Sequence, residues 1–204
     1  MSIIDPALSL HEIVSDFAAG IRLADLKRPV ARSARSEREY QPGLGPFTES
    51  ETIKLVMSEL EEMLPERYGH YCLEVKYPAS PRNRCDICLG IDPDWNWAIE
   101  VKMLRMMGDN GRPNDNMVMH ILSPYPEHRS ALSDCSKLRA SGLFGRKAML
   151  IYAYDYDTFP IEPLISAFET LSGLKPANRA TACVDNLSHP VHCRAVVCGW
   201  DLDL

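Results

Sequence analysis

The sequence predicts an α/β domain in which helices flank a mixed central sheet. Segments with apolar residues at helical spacing alternate along the chain with short apolar runs typical of strands. Between residues 82 and 104, two of these runs are joined by a polar turn, which is the pattern of a β-hairpin. The resulting order is helix, three strands, helix, strand, helix, strand, and this order is typical of an α/β domain with a mixed sheet.

Length and composition indicate one globular domain with a short extension. The chain has 204 residues, 46% hydrophobic and 25% charged, so it can bury a full core. It has no apolar run long enough to cross a bilayer and no secretory pattern at its start, so we expect a cytoplasmic protein without membrane partners. The net charge of -6 argues against extensive coating of nucleic acid but leaves room for a local basic groove. Seven irregularly spaced cysteines favour reduced, buried thiols over a disulfide framework.

The first predicted helix begins at Asp5-Pro6, where a capping side chain precedes a proline. It runs to about Gly20 or Leu26. This helix packs either on the main domain or on a second subunit, which makes it the candidate interface of a homodimer. Its apolar residues recur at helical spacing: Leu10, Ile13, Val14, Phe17 and Ile21.

Residues 28–46 are rich in Arg, Ser, Pro and Gly and lack either periodicity, so we interpret them as a linker or arm. Residues 1–46 then form an N-terminal helix with its linker, and residues 47–204 form the main domain. The arm is either solvated or follows nucleic-acid phosphates. Its basic residues, counted with the end of the preceding helix, are Lys27, Arg28, Arg32, Arg35 and Arg38.

The second helix is capped by Thr48 or Ser50 and runs to about Leu64. Glu49 falls near the middle of its apolar stripe, which is unusual for a carboxylate. Glu49 is therefore either an ordinary first-turn glutamate or an acid directed at a functional site.

The later elements follow from apolar patterns and from the positions of proline and glycine. Residues 70–77 predict a strand that ends at Pro78, and the segment after Leu104 has the composition of a loop. Residues 116–122 are a short strand or a turn of helix. Beyond them we predict a helix over 126–141, a strand over 147–154, a helix over 160–171 and a strand over 191–200.

The hairpin brings three charged side chains together. If the turn at 92–96 closes it, Asp86 lies opposite Glu100 or Lys102 on the neighbouring strand. Strand alternation places Glu100 and Lys102 on one face, and an even register adds Asp86 to that face. Two converging carboxylates repel each other unless a cation offsets their charge.

A hard divalent ion such as Mg²⁺ or Mn²⁺ is the natural partner of this group, because it accepts carboxylates and keeps positions open for water and phosphate. The ion would lower the pKa of a bound water and neutralise charge on a pentavalent phosphate. Lys102 would orient the water or stabilise that charge. The plain alternative is a surface strand pair with an ordinary salt bridge to Lys102.

Asp86, followed after thirteen residues by Glu100-Val101-Lys102 on the adjacent strand, resembles the PD-(D/E)xK nuclease superfamily, also called restriction-endonuclease-like. The resemblance covers roughly residues 47–154 and implies an αβββαβ core with a mixed central sheet. It implies that Asp86 and Glu100 bind Mg²⁺ or Mn²⁺ and that Lys102 lies beside the scissile phosphate of DNA or RNA. Glu49 would be the additional acid that many members draw from the preceding helix.

The chain departs from the family pattern at one position and contains two competing motifs. Cys85, not proline, precedes Asp86. A literal Pro93-Asp94 lies in the turn, where the carboxylate projects away from the site. Glu74-Val75-Lys76 is a second E-x-K, but no nearby upstream aspartate serves it.

Basic side chains near the hairpin are candidate phosphate contacts: Arg82, Arg84, Arg105 and, on the following helix, Lys137. Asp134 on that helix either pairs with Lys137 or faces the site. Trp95 and Trp97 either stack on bases or lie in the core.

Cys85 and Cys88 suggest a zinc or redox pair. However, residues three apart on a strand point to opposite faces, which argues against chelation of one ion by both.

The sequence therefore predicts a metal-dependent phosphodiesterase, an endonuclease-like hydrolase that cleaves DNA. The alternative is a non-catalytic nucleic-acid-binding or protein-interaction module on the same fold. The acidic net charge and the absence of a long basic stripe favour this alternative. Metal binding at the hairpin distinguishes the two.

Overall fold

A six-stranded mixed sheet flanked by helices forms the centre of the molecule, which confirms the α/β prediction. The computed structural model describes residues 8–33, 36–115 and 117–203. The strand order is β1-β2-β3-β4-β6-β5. β3 and β4 are parallel, and the other neighbours are antiparallel. The helices are α1 (Leu10–Leu26), α2 (Glu49–Met63), α3 (Pro65–Tyr68), α4 (Met119–Leu122), α5 (Ala131–Arg139) and α6 (Glu162–Ser172); the strands are β1 (Tyr71–Tyr77), β2 (Ser80–Ile91), β3 (Asp94–Leu104), β4 (Arg146–Tyr154), β5 (Ala180–Asp185) and β6 (Arg194–Asp201).

Different helices cover the two faces of the sheet. α1 and α2 pack on one face through a core that includes Phe17 and Leu150. α5 and α6 pack on the other face through a core that includes Phe168 and Met149. Adjacent residues of β4 enter opposite cores, so this strand is buried on both sides, as is usual where a sheet lies between two helical layers.

The first helix begins later than the sequence suggested. Ser9 is its N-cap, because the Ser9 hydroxyl accepts the Glu12 N–H while the Glu12 carboxylate accepts the Ser9 N–H. This reciprocal pair is a capping box. The prediction from Asp5-Pro6 did not take this signal into account. Asp5-Pro6 lies outside the described residues. The helix ends at Leu26, the later of the two expected ends.

The apolar face of α1 packs against α2, β5 and β6 of the same chain. The apolar face of α1 therefore packs on the main domain, the first of the two alternatives. Because it is covered there, this face is not available as the candidate dimer interface. No described helix has the length and apolarity needed to cross a membrane.

The segment from 28 to 46 is more ordered than a linker. Leu44 is fully buried, and its N–H donates to Asp25 Oδ1 at 2.9 Å. Asp25 also accepts the Ser188 N–H at 2.6 Å, so one buried carboxylate joins α1 to two loops. Arg32 and Glu39 form an exposed pair across the tip of the segment. Residues 34 and 35, and with them Arg35, lie outside the described residues.

Among the later elements, one predicted helix is shorter than expected, one open alternative is decided and one strand was missed. The helix expected over 126–141 is shorter, because Arg129 has a left-handed backbone (φ 46) and α5 starts only after the Ser130 cap. Within 116–122 the regular structure is α4, a single helical turn. β5 was missed because its residues alternate in exposure at the edge of the sheet and carry few large apolar side chains.

Candidate active site

β2 and β3 separate next to the predicted site. Their regular pairing reaches Ile87 opposite Ile99. Further along β3, the Val101 N–H donates to Asp86 Oδ2 at 2.8 Å, and the Met103 N–H donates to Glu49 Oε2 at 2.5 Å. Two side-chain carboxylates thus replace the β2 backbone as acceptors for β3. The opening between the strands admits side chains from both helical layers to one place.

The opening coincides with a reversal of the side-chain direction in β1 and β2. Glu74 has a left-handed backbone (φ 58), a conformation that residues with a Cβ atom rarely adopt. Leu73 pairs with Ile87 on the α1–α2 side, whereas the next pair, Val75 with Cys85, lies on the α5–α6 side. Asp86 lies between these two pairs and therefore faces the opening.

The same reversal brings Cys85 and Cys88 into one buried cluster, so the expectation that they point to opposite faces is wrong. Burial raises the pKa of the Cys85 thiol well above its usual value, which disfavours the thiolate that a metal or an oxidant would need. All seven cysteines are free thiols, and Cys72, Cys183 and Cys193 are exposed.

Asp86 and Glu100 form a closely coupled acidic pair. The Glu100 residue is 5% exposed, and it accepts a hydrogen bond from the Tyr77 hydroxyl. Burial raises the pKa of Asp86 to about 6, against the opposing effect of the Val101 N–H. Burial and then the Asp86 charge raise the pKa of Glu100 well above its usual value. Two neighbouring carboxylates, one buried and one half-buried, favour binding of either a proton or a cation.

Lys102 lies between two further carboxylates. Its Nζ is 2.9 Å from Asp134 Oδ2 and 3.4 Å from Glu49 Oε1. Burial acts to lower the pKa of Lys102, but Glu49 and Asp134 more than offset it, so the net pKa is raised. Lys102 is therefore a fixed positive charge and not a base at neutral pH.

These side chains line one cavity of about 250 Å³. It gathers most of the predicted site: Glu49, Asp86, Glu100, Lys102, Arg82, Arg84 and Lys137. Glu49 contacts Lys102 and β3. Within the described part of the chain, the ligand atoms of Glu49, Asp86 and Glu100 do not all lie within 4.8 Å of one another. Arg82 and Arg84 are exposed at the rim, which suits contact with an anionic polymer.

Arg105 and the tryptophans lie elsewhere. The Arg105 guanidinium donates to the Gly45 carbonyl and is 3.8 Å from Asp109, and it does not line the cavity. Arg105 follows the last residue of β3, Leu104, so its direction is set by the loop and not by strand alternation. Trp95 and Trp97 are 5% and 2% exposed, so they belong to the core and do not stack on bases.

Sequence reasoning missed Tyr77, Arg129 and Glu74, which also line the cavity. Regular alternation from Leu73 would place Tyr77 on the α1–α2 side of the sheet. The reversal at Glu74 places Tyr77 on the α5–α6 side instead, where its hydroxyl contacts Glu100. The competing Asp94 is exposed at the far end of the hairpin, opposite Ile91. Lys76 of the second E-x-K is exposed and does not line the cavity.

A second cluster of side chains that could bind a metal lies next to Arg105. Asp109, His189 and His192 are the only such group of three within the described residues whose ligand atoms lie within 4.8 Å of one another. Both histidines are fully buried. The His192 ring contacts Asp109 through Nε2 at 3.0 Å and the Tyr156 hydroxyl through Nδ1 at 2.7 Å.

This cluster does not fit a metal ion. His189 Nδ1 accepts the N–H groups of Val191 and His192, so the neutral ring carries its proton on Nε2, where it blocks coordination. The two rings are stacked at 4.6 Å with planes 21° apart, so their in-plane lone pairs cannot converge on one ion. The Arg105 guanidinium near Asp109 adds a positive charge beside the same position. Instead, His189 and His192 pack closely against Gly43 and Gly45 of the loop that precedes α2.

Comparison of the chain with protein-family models, with curated proteins and with solved structures returned no match.

Proposed function

We propose that this protein is a Mg²⁺-dependent phosphodiesterase that cleaves DNA. One observation carries the proposal: a carboxylate pair, half-buried Asp86 and buried Glu100, lies beside the fixed ammonium of Lys102 in a cavity with a cationic rim. Mg²⁺ is commonly bound by one or two carboxylates with water and phosphate in its remaining positions, so this donor set fits it.

The order of elements supports a restriction-endonuclease-like core. α2, β1, β2, β3, α5 and β4 follow one another in the αβββαβ order that the resemblance implies, with the short helices α3 and α4 inserted before β1 and before α5. Asp86 lies on β2, and Glu100 and Lys102 lie on β3, which agrees with what the resemblance implies. We include this core in the proposal for that reason.

Each residue has a distinct role in the proposed reaction. Asp86 and Glu100 would hold the ion, which supplies a water of lowered pKa and charge neutralisation at the phosphate. The Lys102 ammonium would stabilise negative charge that develops on the phosphoryl oxygens. Glu49 holds Lys102 and the edge of β3. Arg82 and Arg84 would contact the phosphates that flank the scissile bond.

A second candidate function, a non-catalytic nucleic-acid-binding or interaction module, is favoured by one specific observation. Asp86 and Glu49 already accept backbone N–H groups of β3, and Lys102 is already paired. A polar network that only closes the opening in the sheet would have these same contacts. Such a module would have no affinity for Mg²⁺ at this position.

The test is metal binding and cleavage by the purified wild-type chain. We expect Mg²⁺ and Mn²⁺ to bind in calorimetric titrations and to support cleavage of at least one member of a panel of duplex, branched and single-stranded DNA and RNA. Metal binding with cleavage of RNA alone would correct the substrate. If the chain neither binds the metal nor cleaves any member of the panel, the nuclease is excluded and the non-catalytic module remains.

The acidic pair makes metal affinity depend on pH. Because the pKa of Asp86 is raised to about 6, the protonated form competes with Mg²⁺ below that pH. We expect the Mg²⁺ affinity to fall by about tenfold per pH unit below 6 if one proton is displaced. In the absence of metal, the free energy of unfolding changes with pH in the opposite direction. Because the pKa of Asp86 is raised in the folded state, this residue stabilises the fold at low pH, and the contribution is lost as pH rises through 6.

Calorimetric titrations in two buffers of different ionisation enthalpy measure the proton released on metal binding. An affinity independent of pH between 5 and 7 would show that this carboxylate pair is not the metal site.

A further inference from the structure

Asp134 is a buried carboxylate that the motif does not require. It lies in the first turn of α5, and the residue is 7% exposed. Its Oδ2 is 2.9 Å from the Lys102 ammonium, and its Oδ1 is 3.0 Å from the Lys137 ammonium. Its backbone N–H donates to the Ser130 carbonyl, so the start of the helix is fixed.

Lys102 depends on this contact for its position. A lysine side chain has four flexible bonds and is ordered only where several partners restrict it. Here the partners come from opposite layers, Glu49 from α2 and Asp134 from α5, and Asp134 is the closer of the two at 2.9 Å against 3.4 Å. Because only 12% of the Lys102 side chain is exposed, these two carboxylates and not bulk solvent surround most of the ammonium group.

We propose that Asp134 is a positioning residue that holds the Lys102 ammonium at the floor of the cavity, beside Asp86 and Glu100. The contact is independent of catalysis, but its effect on cleavage rests on the proposed nuclease function. Asp134 lines the same cavity and acts through its contact with Lys102. Its carboxylate sets where the positive charge of Lys102 meets a phosphate.

Lys137 provides the matched control. It contacts the same carboxylate but is more exposed, with 24% of its side chain accessible. Lys137→Gln removes a charge from the cavity and leaves the Asp134–Lys102 contact in place. Both Asp134→Asn and Lys137→Gln remove the Asp134–Lys137 ion pair, so an effect that the two variants share would come from the loss of that pair and not from the position of Lys102.

The first experiment observes Lys102 directly and does not need activity. In ¹H–¹⁵N spectra selective for lysine ammonium groups, the wild type should show a slowly exchanging signal that Lys102→Met removes. We expect Asp134→Asn to broaden or abolish this signal, and Asp134→Glu and Lys137→Gln to retain it. An unchanged signal in Asp134→Asn overturns the proposal, whether or not the protein cleaves DNA.

The second experiment measures cleavage. We expect Asp134→Asn to lower kcat by about tenfold to a hundredfold, the effect of a misplaced group, with KM and Mg²⁺ affinity changed by less than about threefold. Asp134→Glu should recover most of the rate. Equal losses of kcat in Asp134→Asn and Lys137→Gln, with KM unchanged in both, overturn the positioning role.

Two outcomes remain distinguishable. If the wild type does not cleave, the nuclease proposal fails and the ammonium signal still decides the positioning role. If Asp134→Asn does not fold, Asp134→Glu takes its place: a shift of the Lys102 signal larger than that in Lys137→Gln supports the proposal, and an equal or smaller shift overturns it.

Discussion

Asp86→Asn is expected to abolish Mg²⁺-dependent cleavage without destabilising the fold. The amide oxygen can still accept the Val101 N–H, and loss of the charge removes repulsion with Glu100. The variant loses a charged metal ligand, so we expect kcat to fall by at least about 10²- to 10³-fold, the usual effect of removing one preorganised electrostatic group. Mg²⁺ affinity measured by calorimetry should fall in parallel, while the unfolding midpoint in urea stays the same or rises.

Asp94→Asn is the matched control, since it makes the same change at the turn of the same hairpin. Asp94 is exposed and pairs with Ile91 far from the cavity. We expect this variant to keep wild-type cleavage and metal affinity. Loss of activity in Asp94→Asn with retention in Asp86→Asn would move the site to the Pro93-Asp94 motif and refute the assignment.

Lys102→Met is expected to cause a large loss of stability as well as of activity. The change leaves Glu49 and Asp134 without the cation between them, in a place where the lysine side chain is 12% exposed. Removing one partner of a buried ion pair typically lowers the free energy of unfolding by about 3 kcal/mol or more. Urea denaturation in metal-free buffer measures this change.

The double variant Lys102→Met with Asp134→Asn tests the cause of that loss. In Lys102→Met the Asp134 carboxylate keeps only Lys137 as a partner. If this partly compensated carboxylate destabilises the variant, the added Asp134→Asn should recover about 1 kcal/mol or more, since the effects of residues in contact are not additive. Additive losses from the two substitutions would mean that the two side chains do not interact in the folded protein.

Much of this arrangement could be predicted from local pattern. The hairpin register and the place of Glu100 and Lys102 on one face follow from strand alternation and a strong turn, and both depend on residues close in sequence. The position of Glu49 on the apolar stripe of α2 also pointed to an unusual environment, and the carboxylate indeed reaches β3 and Lys102.

Other features depend on contacts that local pattern does not contain. The left-handed backbone at Glu74 reverses β1, which brings Tyr77 to Glu100 and gathers Cys85 with Cys88. The strand β5 and the true start of α1 were missed for a related reason, because an edge strand and a capping box give weaker signals than an apolar stripe.

The sequence by itself determined an α/β chain with a charged hairpin, because helical and strand periodicities are local and strong. Only the tertiary structure decided which charges meet. β2 leaves β3 just beyond Ile87, and α2 and α5 reach the opening from opposite layers, so Glu49 and Asp134 converge on Lys102 although 53 residues separate Glu49 from it. The physical reason is that buried charges and free strand N–H groups both require partners, and packing of the two layers decides which side chains supply them.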